Sequence, residues 1–231
     1  MSRDKLHMGI IGTSPLEPAA ARKLDMSGMR LIALGNTTER HWFVLKDSQV
    51  KSISDFKGRR VAVGAPGSGA LTMAKYALAA SNITLEDIKP AYLSFEETIA
   101  AIKNGTVDVG MATAGYPIAA LVELAKRVPI RLIPATEEEV KTFTTRNPAY
   151  ARAVIPAGTY EGNKTDILTT GNPQALICRK ELSDDVVYEM TKALYDHPKE
   201  RDAIHTAARQ WSLENAFRGA AFTTKHVTFN P

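Results

Sequence analysis

Hydrophobic residues along the chain occur in short continuous runs that polar turn residues separate. The strand-like runs cover residues 6–11, 31–34, 42–45, 61–63, 107–112, 130–133 and 174–179. Continuous runs without strict alternation favour strands that are buried on both faces of a parallel sheet. Gly12 follows the first run, and Gly35 with Asn36 follows the second, which predicts that both strands end there.

Segments with helical spacing lie between these runs. Residues 68–80 carry apolar side chains at helical intervals. Residues 94–97 have the sequence of a capping box, and Asn104 with Gly105 predicts the end of the helix that it opens. Pro117 predicts the first position of the next helix. Strands that alternate with helices are the pattern of an α/β protein.

The second half of the chain is less regular. The polar stretch 136–164 is expected to begin as a helix and then to cross irregularly between two domains. Further helices are expected at residues 184–195, 198–210 and 212–217.

Composition narrows the class of protein. The chain has 231 residues, enough for one large domain or two small ones. With 44% hydrophobic and 23% charged residues it cannot be wholly disordered. The net charge of +4 is small, and the basic residues lack interleaved aromatics, so nucleic-acid binding is not favoured. No run reaches the ~18 apolar residues that a membrane-spanning helix needs.

The sequence offers little chemistry of its own. Cys178 is the single cysteine, so no intrachain disulfide forms, and its apolar neighbours predict a buried, inert thiol. No Cys/His spacing suits zinc, and we expect neither a metal nor a cofactor. No serine elbow, metalloprotease motif or carboxylate pair is present, so we expect a protein that is not an enzyme.

The best local motif is Gly-Ala-Pro-Gly-Ser-Gly-Ala at residues 64–70, between a strand and a helix. Glycines let a ligand approach the backbone, and a helix N-terminus presents free N–H groups and a positive dipole end. The predicted donors to an anion are the N–H groups of Gly67, Ser68, Gly69 and Ala70. The alternative is a tight turn that needs its glycines only for geometry. Neither a P-loop nor a dinucleotide fingerprint fits the spacing.

A second candidate turn is Ala114, Gly115 and Tyr116, again between a strand and a helix. The tyrosine would lie over a ligand, although a plain helix entry explains the residues as well. Two such turns at the carboxyl ends of neighbouring strands would face the same crevice of an open α/β sheet.

Several motifs occur together in an order and spacing similar to one family. They are residues 32–36, 46–48, 55–69, 92–97, 153–160, 182–194 and 213–216. Together they resemble the TAXI family of solute-binding proteins, which serve tripartite ATP-independent periplasmic (TRAP) transporters.

The resemblance implies a fold, a function and partners. The fold would be the class II periplasmic-binding-protein fold, with two α/β lobes and a ligand cleft between them. Residues 1–51 and 135–231 would form lobe I, and residues 52–134 lobe II. The receptor would be periplasmic, would bind a small carboxylate or amino acid similar to glutamate, and would deliver it to a TRAP membrane subunit.

The resemblance also implies site residues. The glycine-rich loop of the family corresponds to residues 64–70, and its second turn to residues 114–117. Thr13 and Ser14 are similar to a binding turn of the first lobe. His41 stands where the family often has a histidine before the strand that leads to the interlobe crossing.

The start of the chain departs from the family pattern. Residues 1–7 are polar and lack the apolar core of a secretory signal. The family's opening strand–helix–strand unit is expected to be missing, whether through a misassigned start, an engineered fragment or a truncated gene. A lobe without those strands would expose an edge, so we expect a homo-oligomer, the alternative being a relaxed monomer.

Two further functions stay open. One is a cytoplasmic enzyme of the same two-lobed fold that acts on a small anionic substrate, which the lack of a catalytic set disfavours. The other is the ligand-sensing module of a regulator, which the lack of a helix-turn-helix disfavours.

Overall fold

The computed structural model describes residues 7–14, 23, 25–217 and 228–229 of the chain. The strands in this range are Met8–Gly12 (β1), Met29–Leu45 (β2), Arg60–Ala62 (β3), Lys89–Ala91 (β4), Gly110–Ala114 (β5), Ile130–Leu132 (β6), Ala151–Ile155 (β7), Ile167–Arg179 (β8) and Thr228–Phe229 (β9). The helices are Gly69–Ala80 (α1), Phe95–Lys103 (α2), Ala119–Arg127 (α3), Glu137–Arg146 (α4), Asp184–Asp196 (α5) and Pro198–Ile204 (α6), with 3-10 helices at Ile53–Phe56 and Thr206–Gln210.

The chain forms two compact units. Unit 1 comprises the described residues up to Thr38, Pro148–Ala151, and the described residues from Asn172 onward. Unit 2 comprises Glu39–Asn147 and Arg152–Gly171. Residues 39–51 and most of 135–171, which the sequence analysis assigned to lobe I, therefore fall in unit 2. The assignment of functional lobes stays a prediction.

Unit 2 contains a mixed sheet. β3 pairs with β4 in parallel, and a parallel bridge between Val61 and Val109 joins β3 to the residue before β5. β5 is antiparallel to β2, and β2 is antiparallel to β6. The helices α1, α2 and α3 connect successive strands from β3 to β6. Three neighbouring strands of this unit therefore end at the same edge.

Both faces of this sheet are covered by apolar side chains. On one face Phe43 packs with Ile102, Leu121 and other buried residues of a continuous cluster. On the other face Trp42 contacts Phe56 edge to face, with ring centroids 5.1 Å apart. Each fully buried side chain of this size contributes about 2 kcal/mol through removal of apolar surface from water.

Unit 1 is built on an antiparallel pair and smaller clusters. β1 pairs with β8 in antiparallel register, Met8 opposite Cys178. Cys178 is 4% exposed and packs with Ile32, Ala33 and Val187. The prediction that this cysteine is buried is confirmed, and burial raises the pKa of its thiol, which disfavours the reactive thiolate.

The prediction that a strand ends at Gly35 and Asn36 is wrong. β2 runs without a break through both residues. A Cβ atom at Gly35 would lie 2.0 Å from the ring of Trp211, and the indole Nε1 donates a hydrogen bond to Asn36 Oδ1 at 2.9 Å. The glycine is present because a tryptophan from a distant segment packs on the strand, which local turn chemistry does not show.

The expected parallel arrangement of the apolar runs is also wrong in part. Runs 31–34 and 42–45 belong to one strand, and its pairings with β5 and β6 are antiparallel. The interval 136–164, expected to be mostly irregular, contains α4 and β7. Residues 212–217, expected to form a short helix, form turns instead.

Helix starts were predicted more accurately. Ser68 is the N-cap of α1, and the capping box at Ser94 and Glu97 is present. Pro117 is not the first residue of α3, which begins two residues later at Ala119. None of the helices in the described range is long and apolar enough to cross a membrane.

Candidate functional site

A cavity of about 170 Å³ lies in unit 2 where the three parallel strands end. Its walls are β5 and the segments that follow β3, β4 and β5, including the first residues of α1 and α2. The residues that line it are Gly64, Ala65, Ser68, Ala70, Leu93, Ser94, Phe95, Met111, Ala112, Thr113, Ala114 and Ile118. We call this cavity the α1 pocket. Ligands of open α/β sheets bind in this position, outside the carboxyl ends of the strands.

Ser68 organises the start of α1. Its Oγ accepts a hydrogen bond from the Leu71 N–H at 3.2 Å and donates one to the Ala65 carbonyl at 2.7 Å. Its own N–H also bonds to Ala65, at 3.1 Å, so this predicted donor is already used by the turn. The first N–H groups of a helix have no intrahelical acceptor. Those of Gly69 and Ala70 are therefore the donors that α1 offers a ligand.

The glycines of the loop have different roles. Gly64 has φ +93°, and a Cβ atom there would lie 2.8 Å from both Ala70 Cβ and the Leu71 nitrogen. Gly67 also has a left-handed backbone, with φ +75°. A Cβ atom at Gly69 would meet nothing within 4 Å. Turn geometry therefore explains Gly64 and Gly67, whereas it does not explain Gly69.

The start of α2 forms the second wall. The Ser94 N–H donates to Glu97 Oε2 at 2.7 Å, and the Glu97 N–H donates to Ser94 Oγ at 3.3 Å. These hydrogen bonds from Ser94 lower the pKa of the Glu97 carboxyl. The positive end of α2 therefore already has a carboxylate, which makes it a poor place for a second anion.

The start of α3 is held by a buried hydrogen-bonded chain. The Ile118 N–H donates to the Tyr160 hydroxyl at 2.9 Å, and the hydroxyl lies 3.0 Å from His41 Nε2. The other ring nitrogen, His41 Nδ1, lies 3.0 Å from the Glu39 carbonyl. This arrangement assigns the proton to Nδ1, so that Nε2 accepts from the tyrosine.

His41 is not among the residues that line the α1 pocket, although its partner across the β2–β5 pair, Ala112, is one of them. The residue is 1% exposed, and burial lowers the pKa of its imidazole to about 4. Burial also raises the pKa of Tyr160 far above its usual value. Both groups are neutral near pH 7. The imidazole positions the start of α3 through Tyr160.

The second predicted turn contributes unequally to the pocket. Ala114 lines it, whereas Gly115 and Tyr116 are not among the described residues on its walls. Tyr116 packs partly buried against the core cluster of unit 2. Burial and the negative charge of Glu39 raise the pKa of its phenol.

Thr13 and Ser14 belong to unit 1. Thr13 Oγ1 donates to the Ala149 carbonyl at 2.6 Å and is 2% exposed. The Ser14 N–H donates to Asn172 Oδ1 at 3.1 Å, and Asn172 Nδ2 donates to Ser14 Oγ at 2.9 Å. Both hydroxyls are thus engaged in hydrogen bonds within unit 1, and their role in ligand binding stays a prediction.

Sequence reasoning missed two residues near the pocket. Tyr160 is 119 positions from His41, and no local motif connects them. Arg40 is charged and 3% exposed. It lies in a polar run of β2, residues 36–41, and that pattern did not distinguish it from its polar neighbours. Among the described residues, no group of three or more His, Cys, Asp or Glu side chains is placed to hold a metal ion.

The fold is that of the periplasmic solute-binding proteins. The periplasmic aliphatic sulphonate binding protein SsuA from Escherichia coli matches 96% of this chain, with a TM-score of 0.56 and 17% identity. XAC2383 from Xanthomonas citri, solved with ATP bound, matches 90% of this chain and 70% of its own, with a TM-score of 0.50 and 10% identity. The chain belongs to the NMT1-like family, which it matches over residues 10–227.

The chain is shorter than the structures that it matches. It spans 62% of the length of the Escherichia coli SsuA structure and 54% of that of SsuA from Methylobacillus flagellatus KT. At these identities the likeness shows the fold, and the solutes of those proteins are not thereby transferred to this chain.

Proposed function

We propose that this chain is the solute-binding part of an extracytoplasmic receptor, and that it holds a small organic anion in the α1 pocket. The single observation that carries this proposal is the position of the pocket at the carboxyl ends of β3, β4 and β5. Membership of the NMT1-like family and the fold support a binding role.

The charge distribution around the pocket favours an anion at α1. The first turn of α1 carries no acidic residue, whereas that of α2 carries Glu96 and Glu97. The N–H groups of Gly69 and Ala70 remain as donors beside a dipole end that has no carboxylate in its own first turn. An anionic group of the solute would supply that missing negative charge.

The same site disfavours catalysis. His41, the histidine of unit 2, is neutral, buried and hydrogen-bonded through both ring nitrogens. A general base must reach the proton that it removes. The proposal is therefore binding without chemical conversion.

The finer identity of the solute and transporter follows from the motif resemblance described above. We propose a glutamate-like carboxylate as the solute and a TRAP membrane subunit as the partner. Uptake in vesicles that contain this receptor and the membrane subunit should depend on an ion gradient. Uptake that requires ATP would contradict the TRAP assignment and leave the binding role standing.

The binding role is tested by the variant Gly69→Val. Thermal unfolding is followed with L-glutamate, succinate, ethanesulfonate and phosphate. A ligand at 100 times its Kd stabilises the folded state by about 2.7 kcal/mol. We expect the best anion to raise the Tm of the wild type and to lose this effect in Gly69→Val, because the new side chain occupies the space over the α1 donors.

Gly28→Val is the matched control, because a Cβ atom at Gly28 also meets nothing within 4 Å and the residue lies in unit 1. The control should keep the full ligand-induced shift. Equal shifts in the wild type and Gly69→Val would show that the anion does not bind at α1.

A further inference from the structure

Arg40 is a buried charged side chain of β2 that forms no salt bridge among the described residues. It is 3% exposed, and its Nε has no hydrogen-bond acceptor. Its guanidinium lies over the Phe143 ring, 5.9 Å from the centroid. A cation–π contact compensates only part of the hydration that a buried cation loses.

Arg40 projects from the same face of the sheet as a wall residue of the α1 pocket. The β2–β5 register places it directly opposite Thr113, which lines the pocket. Directly opposite residues of an antiparallel pair lie on one face, with Cβ atoms about 5 Å apart. The next residue, His41, projects to the other face and meets Tyr160. Arg40 is not itself among the residues that line the pocket, and its guanidinium would have to turn from Phe143 towards Thr113 to reach a solute there.

The acid with the strongest effect on Arg40 is already engaged elsewhere. The charge of Glu139 raises the pKa of Arg40, but burial outweighs it and lowers this pKa to about 10. The Glu139 carboxylate accepts hydrogen bonds from Ser81 Oγ at 2.6 Å and from the Thr136 N–H at 2.7 Å. Arg40 is therefore cationic at neutral pH, and no carboxylate of the described residues is hydrogen-bonded to it.

We propose that the Arg40 guanidinium is the counter-charge for the anionic group of the solute in the α1 pocket. The group would be a carboxylate, sulfonate or phosphonate, because a guanidinium donates two parallel N–H bonds to two oxygens of one such group. The N–H groups of Gly69 and Ala70 bind the same group from the side of α1. This inference rests on the proposed function, since it assigns a residue and a ligand charge to that same site.

The proposal predicts opposite effects of one substitution on stability and on binding. Replacing an unpaired buried cation by an apolar side chain of similar volume removes a desolvation penalty. We therefore expect Arg40→Met to keep or raise the urea midpoint of the ligand-free chain. By calorimetric titration with succinate, L-glutamate and ethanesulfonate, its affinity for the best of the three should fall at least about 30-fold, the scale of a lost charged hydrogen-bond pair.

Two further variants complete the test. Arg40→Lys keeps the charge but not the two-pronged geometry, so it should recover part of the lost affinity. Arg152→Met is the control, because Arg152 is an exposed arginine of the same unit, paired with Glu137 at 2.7 Å. The anion affinity of this variant should equal that of the wild type. Unchanged affinity in Arg40→Met would overturn the inference.

A spectroscopic readout separates this inference from the proposed function. The Nε–H resonance of Arg40 in the wild type, assigned by its loss in Arg40→Lys, should shift when sodium sulfate is added and stay in place with sodium chloride at equal ionic strength. No shift with sulfate would overturn the inference, even if Arg40→Met unfolds. If sulfate shifts the resonance while no organic anion binds, the inference holds and the receptor function fails.

Discussion

The starts of α1 and α2 look alike in sequence and differ in their charge. Each has a serine N-cap after a parallel strand, and each serine accepts a hydrogen bond from the third helical N–H. At that third position α2 has Glu97, whose carboxylate returns to the Ser94 N–H, whereas α1 has Leu71. The residue at the third helical position thus decides whether a carboxylate of the helix neutralises the positive end of the dipole or leaves that end available to an anion.

At the start of α3, an N–H group finds its hydrogen-bond acceptor in a third way. Its N-cap, Ile118, has no side-chain oxygen, and its N–H is satisfied by Tyr160 from a remote segment. That solution depends on the buried imidazole of His41 staying neutral. Protonation of His41 in acid should therefore destabilise the start of α3 first. The starts of α1 and α2 are the reference with which that destabilisation is compared.

The largest expected effect is the acid sensitivity that His41 confers. Its pKa is about 4 in the folded chain and 6.5 in its ordinary state. The folded state resists protonation, so this stabilisation is complete above pH 6.5 and is lost as the pH falls to about 4. The loss should amount to about 3 kcal/mol, since one pKa unit is worth about 1.4 kcal/mol.

Urea unfolding between pH 7 and pH 4.5 measures this loss. The pH dependence should be weaker in His41→Gln, which no longer titrates in this range. His197→Gln changes an exposed histidine and should keep the wild-type dependence. The same dependence in the wild type and in His41→Gln would contradict the buried neutral imidazole.

The next effect converts the start of α1 into that of α2. Leu71→Glu places a carboxylate where Glu97 stands in α2, with a serine cap already present. Anion affinity should fall about tenfold, since a charge at a helix end is worth up to about 2 kcal/mol. Leu71→Gln has the same shape without the charge, and calorimetric titration should show much less loss. Equal affinities for the two variants would remove the electrostatic explanation.

The smallest expected effect concerns the cap of α2 alone. Ser94→Ala should lower the free energy of unfolding by about 1 kcal/mol, as for other serine caps. Chemical unfolding measures this loss, with the exposed residue Thr72→Ala as a control on α1. A loss no larger than that of the control would mean that the capping box at Ser94 does not stabilise the helix.

Local signals in the sequence predicted the elements that local interactions determine. The Ser94 capping box needs only a residue three positions away, and it is present. Gly35 does not mark a turn. A glycine is needed there because the ring of Trp211, a residue distant in sequence, packs against the strand. The short apolar runs could not show whether their partners were parallel or antiparallel, because pairing is decided by other segments.

The candidate site was predictable to a similar extent. Ser68, Ala70 and Ala114 were expected near one crevice, and they line one cavity. His41 was expected to touch the solute, yet its ring is buried against Tyr160. The sequence shows that a histidine precedes an apolar run, but it does not show which face of the strand carries it.

The contact between Trp211 and the Gly35–Asn36 pair also sets an order of events during synthesis. The two sides of the hydrogen bond are 175 positions apart. A ribosome must therefore make all of unit 2 before the indole that completes this part of β2 exists. Unit 2, whose segments are made between residues 39 and 171, can pack as soon as it emerges. Until Trp211 follows, the β2 backbone at Gly35 lacks its aromatic cover, and a chaperone that shields exposed strands would act during that interval.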